Sequence, residues 1–83
     1  DAGAGEQMCV SIETVARGVH GVKDVHKCRT RYLGSGIQVD MHVLVDPEIS
    51  VKDGHEISSS VKTELLKEVA DIIDVVIHLE PFE

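Results

Sequence analysis

Asp40 and His42 stand two residues apart, and His78 and Glu80 repeat that spacing near the end of the chain. Side chains two apart on a β-strand share one face of the sheet, so each pair would project together. His26 and His55 add two more imidazoles. On a suitable fold, four histidines and two carboxylates can gather at one side of a sheet. Imidazole and carboxylate suit borderline divalent ions such as Zn2+, Mn2+, Fe2+ and Co2+. Cys9 and Cys28 lack the paired spacing of a closed structural zinc site. An open or two-chain site that exchanges its ion fits this donor set better. The competing reading is that these are solvated polar groups on an uncovered sheet face. His20, in a loop, belongs to that second reading.

Such pairs need strands to carry them. Ile37, Val39, Met41, Val43 and Val45 alternate with Gln38, Asp40, His42, Leu44 and Asp46. This predicts a strand over 37–46 with the first set in the core. A strand over 24–33 joins it through Leu33-Gly34-Ser35-Gly36, a Gly-rich hairpin turn. A last strand over 73–80 alternates Ile73, Val75, Ile77 and Leu79 with Asp74, Val76, His78 and Glu80. Residues 6 to about 18 predict a helix with Met8, Ile12, Val15, Ala16 and Val19 on one face, ended by Gly18 and Gly21. Asp46-Pro47-Glu48 breaks the second strand, and Ser50 caps a second helix that runs to about Lys67 or Val69. Its apolar stripe is Ile57, Val61, Leu65 and Val69. The order helix-strand-strand-helix-strand predicts an α+β fold, with two helices packed on one face of a three-stranded sheet. The strand order stays open. Asp40, His42, His78 and Glu80 then share the other face.

Composition narrows the function. Eighty-three residues make one domain. The small, polar opening, residues 1–7, reads as a linker or the edge of a longer chain, and 8–83 as the domain. A hydrophobic content of 42% argues against disorder, and with only Tyr32 and Phe82 as aromatics the core must be built from Val, Ile, Leu and Met. A net charge of −7 argues against nucleic acid and anionic membranes and favours cations. No apolar run approaches the ~20 residues of a spanning helix. Cys9 and Cys28 read as free, small apolar residues of a reducing compartment, with a Cys9–Cys28 disulfide as the alternative. The serines have no Gly-x-Ser-x-Gly context, no helix follows Gly34-Ser35-Gly36 to cradle a phosphate, and no enzyme is expected. Asp53, Glu56, Glu64 and Glu68, with Lys52, Lys62 and Lys67, read as a solvated helix face. Arg29 and Arg31, with Lys27 beside them, either meet an acidic partner or are simply solvated.

Five runs, taken in order, resemble the C-terminal cytoplasmic domain of cation diffusion facilitator transporters. They are Gly21-Val22-Lys23-Asp24-Val25-His26, Arg29-Thr30-Arg31, Val45-Asp46-Pro47, Ser50-Val51 through His55, and Val75-Val76-Ile77-His78-Leu79-Glu80-Pro81. The resemblance covers roughly residues 8 to 81. It implies a metallochaperone-like α-β-β-α-β fold and a V-shaped homodimer attached to a transmembrane domain absent from this chain. It also implies a place on the cytoplasmic side of a bacterial inner or magnetosome membrane. By position, the family's ligands would fall on His26, His42, His55, His78 and Glu80. Ile37-Gln38-Val39-Asp40-Met41 with Val45-Asp46-Pro47-Glu48 looks most like the magnetosome-associated branch. That branch implies Asp40 and His78 as ligands and iron as cargo, although Gln38 replaces an aromatic expected there.

The function these readings imply is regulatory. A reversibly bound divalent transition metal (Zn, Fe or Mn) would sit between the protomers of a homodimer and favour the transport-competent state of an efflux transporter. The alternative is a metal-independent dimerisation module, in which Leu44 and Val76 pack the uncovered face against its twin. A small metallochaperone is a third reading, and it would call for a thiolate pair that the sequence lacks.

Overall fold

The computed structural model describes residues 2–83, in the order α1 (Ala2–Arg17), β1 (Asp24–Leu33), β2 (Gly36–Val45), α2 (Val51–Glu68), β3 (Ile72–Pro81). The helix-strand-strand-helix-strand order is the one expected. The helix α1 begins at Ala2, so residues 2–7 of the stretch 1–7 expected as linker are helical; Asp1 lies outside the described residues. Among the described residues no helix is long and apolar enough to cross a membrane.

The sheet order is β1-β2-β3, with β1 antiparallel and β3 parallel to the central β2. The fully alternating strand takes the middle, where both edges are paired. Gly34, at φ 62, opens the two-residue turn of the hairpin, a conformation that costs glycine little. A parallel neighbour needs a crossover, and α2 supplies it. Ser50 caps α2 by accepting the Asp53 N–H on its Oγ at 3.0 Å. After α2, Asp71 adopts φ 72 and its carbonyl accepts the Ile37 N–H, which starts the β2–β3 pairing.

The core lies between the sheet and the helices. Ile12 and Ala16 of α1 and Val61 and Leu65 of α2 meet Val25, Val39, Met41, Val43 and Val75. Met8, Val15, Val19, Ile57 and Val69, the rest of the two predicted stripes, are partly buried against it.

Two bulges break strict alternation. In β1, His26 pairs with His42 and Arg29 with Asp40, so three steps on one strand match two on the other. Lys27, at φ 55, absorbs the extra residue. Simple alternation would put Arg29 and Arg31 on the face of buried Val25; the bulge turns them outward, opposite Asp40 and Gln38. In β3, Ile37 pairs with Ile72 and Gln38 with Asp74, leaving Ile73 over. The expectation that Ile73 faces the core is corrected: Ile72 takes that place, and Ile73 is exposed, lying over Gly36. Leu79 is also largely exposed, against Gly54 of α2.

Candidate metal centre

The register brings the predicted pairs together. His42 is the neighbour of His26 on one side and of His78 on the other, so three imidazoles cross the sheet in one row. The rings of His42 and His78 stack at 4.5 Å between centroids, and those of His26 and His42 meet edge-on at 5.5 Å. Glu80 lies between two of them. It accepts from His42 Nδ1 at 2.6 Å and from His26 Nε2 at 2.9 Å. Asp40 Oδ1 is 3.0 Å from His78 Nε2.

These side chains form two groups of three, His26 with His42 and Glu80, and Asp40 with His42 and His78. Within each group the ligand atoms lie within 4.8 Å of one another. Ions held by nitrogen and oxygen at ~2.0–2.2 Å bring donor atoms to within ~4.3 Å of each other, so small side-chain rotations would bring the three donors of either group to ligand spacing. The donors are all imidazole or carboxylate, which suits Zn2+, Fe2+, Mn2+ or a similar ion. Each group leaves at least one coordination place to solvent or another chain. His42 serves both groups and is the least exposed of the three histidines, its side chain 22% accessible.

The electrostatics follow the contacts. The hydrogen bonds from His42 and then His26 hold the Glu80 carboxyl below its ordinary value. That keeps it ionised, the form in which it is a ligand. Cys9 and Cys28 are free and partly buried. Burial, then a hydrogen bond with Cys9, pushes the Cys28 thiol well up, so it keeps its proton at neutral pH.

Of the six sequence-predicted ligands, Asp40, His42, His78, His26 and Glu80 converge. His55 does not: it is exposed on α2, which packs against the opposite face of the sheet through Val61 and Leu65. The cluster therefore holds three histidines in one chain, not four. His20 is exposed in the loop after α1, away from the cluster. Arg29, paired across from Asp40, is a neighbour of the site that alternation along β1 does not predict. The signal was present, because unbroken alternation would have buried two arginines.

Comparison with known proteins identifies the family and the fold. Residues 5–82 match the family described as cation efflux protein, cytoplasmic domain. Metal tolerance protein C1 of Arabidopsis thaliana is 33% identical over 81 residues, 98% of this chain and 17% of that protein. Magnetosome protein MamM of Magnetospirillum gryphiswaldense is 35% identical over 83 residues, 100% of this chain and 26% of that protein. Among solved structures, a nickel form of a MamM C-terminal-domain variant superposes with a TM-score of 0.88 at 32% identity, covering 94% of this chain and 99% of that one. The chain thus spans about a quarter or less of these curated relatives' length. It belongs to the cytoplasmic-domain family of the cation diffusion facilitator, or cation efflux, transporters.

Proposed function

We propose that this domain senses divalent transition metal on behalf of an efflux transporter, binding it at the outer-face cluster and drawing two protomers together. The observation that carries this reading is His42, shared by two incomplete ligand groups on a sheet face that neither helix covers. An incomplete site on an open face invites a donor from a second chain. His55 belongs to neither ligand group of its own chain. Two copies each carrying −7 repel, and a cation between them removes part of that repulsion. An ion bound only by the closed pair stabilises it by about 2.7 kcal/mol at 100 Kd, roughly a hundredfold shift in a two-state equilibrium. In the full transporter that shift would favour transport. The donor set suits Zn2+, Fe2+ or Mn2+, and nickel in a related domain's structure fits the same class.

A second reading has its own observation. Leu44 and Val76 share the face with the cluster, and Val76 is 36% exposed, so the face could join a twin without metal. Small-angle scattering separates the two, first with chelator and then on titration with Zn2+ and Mn2+ at neutral pH. Metal sensing predicts a dimer that compacts on titration and an Asp40→Ala, His78→Ala variant that binds more weakly. A dimer indifferent to metal, or unchanged affinity in the variant, would sink the proposal.

A further inference from the structure

On the opposite side of the molecule a groove of roughly 1180 Å3 runs between the end of α1, the loop 18–23 and α2. Its floor is apolar, with Val15, Val19 and Ile57 all half-buried. Gly21 shapes it. At φ 96 this residue lies so close to α2 that a Cβ would stand 2.6 Å from Ile57 Cδ1. The α2 wall is acidic: Asp53, Glu56, Glu64 and Glu68 all line the groove, while Lys52, Lys62 and Lys67 of the same helix do not. Asp46 adds a fifth carboxylate, and the only lysine in the lining is Lys23. The helix whose charges are of mixed sign along the chain therefore turns its acids to one side, beside an apolar floor.

We infer that this groove docks a cationic amphipathic segment, with its apolar side chains on Val15, Val19 and Ile57 and its lysines or arginines along the α2 acids. The acid wall spans about 22 Å at 1.5 Å per residue, the length of about four helical turns. Charge complementarity sets the sign of the partner, and the floor requires it to be amphipathic. We assign the segment to the membrane part of the same transporter. Cytoplasmic loops beside membrane spans carry an excess of Lys and Arg, and the relatives extend well beyond the region matched here. This source rests on the transporter reading above; the groove's own chemistry does not. The surface lies across the sheet from the metal cluster, so it could couple the sensing domain to the membrane domain without occupying the ligands.

Two experiments test this. The isotope-labelled chain, kept in chelator so that the metal site plays no part, is titrated with a synthetic helical peptide about four turns long, with leucines on one face and lysines on the other. Amide shifts should gather at Val19, Gly21, Ile57 and Glu64. Affinity should fall about tenfold in Glu56→Lys, Glu64→Lys, and also fall as salt is raised. A glutamate version of the peptide should not bind. Ser60→Lys, another exposed groove position, repeats the test should the double variant lose its dispersed spectrum. The proposal is overturned by no binding, by shifts centred on Asp40, His42 and His78, or by affinity that ignores both variants. Carbodiimide coupling in the reconstituted full-length transporter tests the source. Links from Glu56, Glu64 or Glu68 to lysines of membrane loops support it, and links confined to lysines within this domain overturn it. A dimer indifferent to metal would end the sensing proposal and leave the peptide result standing.

Discussion

His42 holds the central position of the cluster for a reason visible in its neighbours. It sits on the middle strand, pairs with a histidine on each side, and belongs to both ligand groups. Replacing His26 or His78 disables one group, whereas replacing His42 disables both. Loss of an outer-sphere partner alone typically costs 10–100-fold in metal affinity, so loss of a shared ligand should cost at least about as much. Calorimetric titration with Zn2+ should therefore rank His42→Ala as weaker than His26→Ala or His78→Ala. Equal losses in all three would show that His42 serves one group only. The pairs Asp40/His42 and His78/Glu80 were readable from their two-residue spacing. Their sharing at His42 was not, because it depends on which strands are neighbours.

At the scale of the elements, two glycines with positive φ separate backbone cost from packing cost. Gly34, at φ 62 in the hairpin turn, has open space where a Cβ would go. Gly21, at φ 96, presses on Ile57. Alanine at Gly34 meets only the left-handed penalty, about 1–2 kcal/mol. Alanine at Gly21 meets that penalty and a clash with a half-buried side chain, for a total of about 2–4 kcal/mol. Urea unfolding of Gly34→Ala and Gly21→Ala should give that order, and the reverse would mean that Ile57 moves aside freely. The hairpin, the helix stripes and the Ser50 cap were legible because each is a local pattern. Neither bulge was, since a bulge is defined by the partner strand.

For the whole molecule, acid acts in two separate ranges. The metal binding proposed above needs deprotonated ligands, so it should fade first as pH drops. Glu80 and Asp24 act lower. His42 and His26 depress Glu80 from its ordinary 4.5. The Val25 N–H, then Arg17, depress Asp24 from 3.8. A carboxyl with a lowered folded value stabilises the fold fully above its unfolded value and loses that contribution as pH falls through the folded one. Melting temperature against pH should therefore show an upper limb that chelator abolishes and a lower one, below about pH 4.5, that chelator leaves in place. Glu80→Gln should shrink the lower limb. A curve with no chelator-sensitive limb would show that metal contributes nothing to stability.

What the sequence determined by itself is what short-range chemistry encodes. Alternation placed β2 and its core face, helical spacing placed both stripes, and donor types together with acidic net charge pointed to a divalent cation. The five ordered runs added the family. Only the tertiary structure decided the strand order, and with it the row His26-His42-His78. It also decided the side of the sheet on which His55 lies, the outward turn of Arg29 and Arg31, and the segregation of α2's acids along a groove. The physical reason is the same in each case. A residue's spacing along its own element sets which neighbours in the chain share its face, but the residue across from it comes from another segment. That choice is made by packing and hydrogen-bond pairing across the whole fold.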